Sequence, residues 1–121
     1  MIQRGTTFAM AVIGLVLLPA ASPSAAAAPA RLTPAQQARF KLLTEQLGEC
    51  HRAKAVQLAG TKTEVDQIVI RTLAACEARV APIRADLVKL AGPAQTDTII
   101  AAQRAHWRDS IRRIVAAARS R

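Results

Sequence analysis

Cys50 and Cys76 are the only cysteines of the 121-residue chain, and the apolar pattern around them admits one arrangement in which they meet. Before the turn Gly60-Thr-Lys-Thr63, the residues Gln36, Phe40, Leu43, Leu47, Cys50 and Leu58 recur at helical spacing and share one face. After it, Val65, Ile68, Val69, Thr72, Cys76, Val80, Ile83, Leu87 and Leu90 do the same. In an antiparallel hairpin, facing residues have position numbers with a nearly constant sum. Cys50 and Cys76 sum to 126, as do Leu58 with Ile68, Leu43 with Ile83, and Gln36 with Leu90. Leu47 with Val80 and Phe40 with Leu87 give 127, and the midpoint, residue 63, falls in the turn. Apolar layers and cysteines therefore demand the same register. The spacing predicts an all-α fold: a disulfide-linked antiparallel helical hairpin, stapled by Cys50–Cys76, plus a third packed helix.

Local signals set the helix ends. In Leu32-Thr33-Pro34-Ala35-Gln36, Thr33 can cap the first helix, Pro34 suits its first position, and Gln36 closes a capping box. Gly60 is a natural stop because it accepts the left-handed conformation past a helix end. Thr61 or Thr63 can cap the second helix. Pro82 interrupts that helix, removing one backbone bond and crowding the previous turn. The apolar register runs on through it, which reads as a kink, and Gly92-Pro93 ends the element. The third helix begins near Ala94 to Thr98 and reaches about Ala118, with Ile100, Trp107, Ile111, Ile114 and Ala118 on one stripe. No segment alternates in strand fashion.

The first 28 residues carry a different message. Arg4 precedes an unbroken apolar run from Phe8 to Leu18, Pro19 ends it, and small residues fill Ala21 to Ala28. That order is the signature of a secretory signal peptide, with cleavage expected after Ala28 and Ala26 or Ala27 as rivals. The run is about 11 residues, against the ~20 that a membrane span needs. Residues 29–121 are then expected to form a single small helical domain in the periplasm or secreted, where paired cysteines oxidise. A domain this small buries only about 60–65% of its unfolded surface, and its core must come from Leu, Ile, Val and Ala. A second copy in a homodimer would cover more of it.

Without Arg4, sixteen Lys and Arg face eight Asp and Glu, a net charge of +8. Such a chain could meet unfolded or acidic protein clients or an anionic membrane surface. Nucleic acid is not expected, since single-strand binders stack bases on aromatics and only Phe40 and Trp107 follow the signal. At 100° per residue, Arg104, Arg108, Arg112 and Arg119 fall within an arc of about 80°, flanking the apolar stripe with Trp107 at its boundary. A basic amphipathic helix of this kind suits client or membrane binding. It equally describes a surface helix whose arginine stems snorkel along the edge of a core.

Catalytic and metal chemistry find no constellation. There is no Gly-rich phosphate loop and no His-Glu-x-x-His, and Ser110 and Ser120 lack an evident base, so no enzyme activity and no cofactor are expected. A zinc site recruiting His51 and His106 is not expected either. His51 follows Cys50, so their side chains point about 100° apart on a helix, and His106 lies opposite the apolar stripe of its own helix.

Leu32, Thr33 and Gln36, within Leu-Thr-Pro-Ala-Gln, resemble the Leu-Thr-x-x-Gln motif of small periplasmic stress proteins of the Spy/CpxP type. A degraded second copy is Ala91-Gly92-Pro93-Ala94-Gln95, with Gly92 in place of the Thr. The resemblance implies an all-helical, exported, ATP-independent chaperone or envelope-stress accessory that works as a dimer.

Overall fold

In the computed structural model, residues 31–121 are described, and Leu32–Arg121 forms one unit. The signal segment assigned to residues 1–28 lies outside the described residues. The described chain is all-helical: α1 (Pro34–Ala59), α2 (Val65–Ala75), α3 (Glu77–Ala91) and α4 (Pro93–Arg119). Each helix packs against the other three.

The start of α1 forms as its sequence dictates. Gln36 donates its backbone N–H to Thr33 Oγ1 at 3.1 Å, and Thr33 N–H donates to Gln36 Oε1 at 2.8 Å. With Pro34 at the first position, this completes a capping box. At the other end, Gly60 stops the helix but stays right-handed, at φ −76°. The left-handed glycine is Gly92, at φ 83°, where α3 gives way to α4 with no further linker. Its N–H closes α3 on the Val88 carbonyl, and its own carbonyl accepts Thr96 N–H and Oγ1. Neither Thr61 nor Thr63 caps α2, which starts after Glu64 without a side-chain cap. Thr61 Oγ1 instead accepts Thr63 N–H and donates to the Leu58 carbonyl.

The second helical stretch breaks, but at Cys76 and not at Pro82. Pro82 sits inside α3, whereas Cys76 leaves helical geometry at φ −102°, ψ 7°. Cys76 N–H still closes on the Thr72 carbonyl, while Arg79 N–H reaches the Cys76 carbonyl at 2.9 Å. These overlapping bonds keep the apolar face continuous across a one-residue break. Pro82 leaves the Ala78 carbonyl without its N–H partner yet stays within α3, and the break falls at the residue tied to α1 by a disulfide. Cys50 and Cys76 form that disulfide, with Cα atoms 5.9 Å apart.

Two core clusters lie along the helices. The first contains Leu43, Leu47, Cys76, Val80, Ile83 and Ile100, with Phe40, Cys50, Leu87 and Trp107 packed against it. The second contains Ala55, Ala59, Ile68, Val69, Ile111 and Val115. The expected stripes shift in places. Past Cys50 the buried face of α1 turns to His51, Ala55 and Ala59, and Val115 is buried where Ile114 was expected to lead. Leu90, placed on the apolar face of its helix, is 40% exposed.

Arg119 ties the end of α4 to the turn after α1. Its guanidinium donates to the carbonyls of Ala59, Thr61 and Thr63 at 3.1, 3.1 and 2.6 Å. Two outcomes follow. Reducing the disulfide, or replacing both cysteines by Ala, should lower unfolding free energy by about 3 kcal/mol in urea titrations on the loop-entropy account, with helical circular dichroism retained. Arg119→Ala should cost about 1–2 kcal/mol in the same titration, since it removes charge-assisted bonds to carbonyls that nothing else on that side chain replaces. An unchanged midpoint in either case would contradict the assigned role.

Candidate functional site

Packing α4 against α1 leaves a groove along their outer seam. Its wider section, about 670 Å³, is floored by Phe40, Leu47, Leu87, Ile99, Trp107 and Ile114. Its rim carries Glu45, Glu49, Gln103 and His106, and His51 forms part of the wall. A second section of about 350 Å³ is lined by Val56, Ala117 and Ala118 together with Arg52, Arg113 and Arg121. Arg52, Ser110 and Ile114 border both, so the two sections adjoin. Gly48 stands at the groove on α1, and a Cβ added there would meet nothing within 4 Å.

The arginines singled out on the third helix are not gathered into one free surface. Arg104 donates to Glu77 at 2.8 Å, binding α4 to α3. Arg112 pairs with Asp66 of α2 at 3.1 Å and lies 3.8 Å from Asp109. Arg119 is held by carbonyls as described. Arg108 alone of the four is exposed with neither an ion pair nor a side-chain hydrogen bond among the described residues. Trp107 is half-buried against the first core cluster rather than projecting outward. Leu32 is half-buried, and Thr33 and Gln36 are occupied with each other in the capping box.

His51 was not anticipated as part of any site. It is 5% exposed, and its Nε2 has no hydrogen-bond partner among the described residues. The ring lies 5.7 Å from that of Trp107, tilted by 59°. Burial pushes its pKa below the ordinary value, because a charged imidazolium would lose its hydration there. His51 and His106 both reach the groove, although the sequence pattern places His106 opposite the apolar stripe of its helix. No group of three or more His, Cys, Asp or Glu that could hold a metal forms among the described residues. No described helix is long and apolar enough to cross a membrane.

Arg52, Arg113 and Arg121, which the charge pattern of α4 alone did not bring together, take part in no ion pair among the described residues. They converge because Arg52 comes from α1, Arg113 from α4 and Arg121 from the residues just past its end. The usable signal was a pairing of the first helix with the last. No protein-family model, curated protein or solved structure matches the chain.

The His51 environment sets a pH dependence. Unfolded, an imidazole takes up a proton near pH 6.5; buried, it resists. The stability this contributes is complete above that pH and is lost as pH falls through the depressed folded value. Thermal melts should therefore show Tm falling between about pH 7 and pH 5, and His51→Phe should remove part of that fall. Identical pH profiles for the two proteins would mean that His51 takes up its proton as readily in the fold as in the unfolded chain.

Proposed function

We propose that the protein is an exported, non-enzymatic binder, chaperone-like in action, that holds unfolded or acidic polypeptide clients along the α1–α4 groove. One observation carries this: an apolar floor runs into a group of arginines that no carboxylate of the described chain neutralises. Capture then rests on Arg52, Arg113 and Arg121, while Arg104, Arg112 and Arg119 hold the helices in place. Apolar contact is shallow and the charges lie at the surface, so release needs no nucleotide.

Within this reading the fold is an antiparallel hairpin of α1 with α2 and α3, with α4 packed across it. The Cys50–Cys76 bond and the Arg39–Asp86 ion pair support it, since their position numbers have nearly equal sums. Export through the leading signal segment agrees with an oxidised cysteine pair. The likeness of Leu32, Thr33 and Gln36 to the Spy/CpxP motif points to the same periplasmic setting.

The test is aggregation suppression by the oxidised protein, lacking residues 1–28, on a reduced, unfolding client at low and moderate salt. Suppression near one-to-one stoichiometry that survives moderate salt is expected, and Arg113→Ala with Arg121→Ala should weaken it several-fold without changing Tm. Absence of suppression, or its disappearance with moderate salt, would reject the proposal.

A further inference from the structure

The charges of the groove are sorted along its length. Arg52, Arg113 and Arg121 line the narrower section, which no Asp or Glu lines, and Arg52 also borders the wider one. Glu45 and Glu49 stand on the rim of the wider section, above the apolar floor. An anionic group is therefore attracted at one end and repelled along the other. A ligand with carboxylates spaced along its length satisfies only part of this pattern. A ligand with one anionic head and a long uncharged tail satisfies all of it.

Size and lining agree. The wider section alone falls within the roughly 300–1,000 Å³ of ordinary small-molecule sites. Its floor is aliphatic and aromatic, and Trp107 lies along it. The wall residue His51 is kept neutral near pH 7 by its burial, so it places no charge beside a tail. Gly48 leaves the passage open, because no protein atom lies within 4 Å of where its Cβ would stand. A glycine inside a helix costs about 1 kcal/mol relative to alanine, and the packing of this chain gives no return for it.

We propose that the α1–α4 groove is a binding site for a single-chain anionic amphiphile, a long-chain carboxylate whose head pairs with Arg52, Arg113 and Arg121 and whose tail lies over Ile114, Trp107 and Leu87. The proposal rests on the groove being the binding surface, and it names a ligand class beyond polypeptide clients. Guanidinium–carboxylate pairs supply directed, charge-assisted bonds at the head. Burial of methylene groups supplies the rest of the affinity.

Trp107, the only tryptophan, reports occupancy directly. The oxidised protein would be titrated with monomeric dodecanoate below its micelle-forming concentration, and its tryptophan emission followed. A saturable change is expected. Arg113→Glu with Arg121→Glu should weaken binding about tenfold or more, and dodecanol should bind far less well than dodecanoate. Gly48→Phe should abolish binding with unchanged helical circular dichroism, since the added ring enters open space. Vesicles containing phosphatidylglycerol form the second arm. A response to vesicles with none to monomeric dodecanoate would overturn the proposal in favour of a membrane surface. Equal binding by the charge-reversed protein would overturn the assigned head site. Aggregation suppression without dodecanoate binding would reject this inference alone, whereas dodecanoate binding without suppression would reject only the client reading.

Discussion

The structure depends on a single tie between helix α1 and the junction of α2 and α3. Aliphatic side chains of modest size form both core clusters, and alanine fills much of the second. Small side chains bury little area each, so apolar burial alone discriminates weakly between neighbouring registers. The Cys50–Cys76 bond removes that ambiguity. It fixes which turn of α1 faces the break at Cys76, and the clusters on either side follow from it. The break itself falls within one continuous apolar face, since Cys76, Val80 and Ile83 share a core cluster with Leu43 and Leu47 of α1.

A strongly basic chain need not present a uniformly basic surface. Arg39, Arg84, Arg104 and Arg112 each meet a carboxylate on another helix. Individually such exposed pairs contribute little, about 0–1 kcal/mol. Their geometric effect is larger than their energetic one, because together they connect α1 with α3, α2 with α4, and α3 with α4 at two points. With those arginines spent internally, Arg52, Arg113 and Arg121 are left unpaired among the described residues at the seam of α1 and α4. The surface that results is defined as much by which cations are neutralised as by which are present.

The fold class and the disulfide were legible because two independent patterns, apolar spacing and cysteine position, converge on one register. Helix starts with strong local chemistry were legible too, the Thr33–Gln36 box above all. Signals that depend on tertiary context misled. Gly60 is free to be left-handed, yet the chain continues right-handed there and uses that freedom at Gly92. Pro82 signals a helix interruption, but the helix continues through it and the break falls at Cys76. The groove was the least legible feature, since it belongs to two helices that are remote in sequence. His51 faces Trp107 and Ala59 meets Arg119 across separations of 56 and 60 residues. Reading α4 by itself placed its arginines on a common arc and missed their partners on other helices.

The brevity of the connections bears on how the molecule comes to be oxidised. One residue separates α2 from α3, one separates α3 from α4, and only residues 60–64 lie between α1 and α2. Closing such short links loses little entropy, and helical chains with local connections commonly collapse in microseconds to milliseconds. Thiol oxidation takes seconds to hours. Helix pairing should therefore run far ahead of the covalent step, so that the oxidant meets two sulfurs already side by side. The bond then acts as a latch on a conformation reached without it, and with no third cysteine in the chain there is no competing intramolecular partner to unscramble.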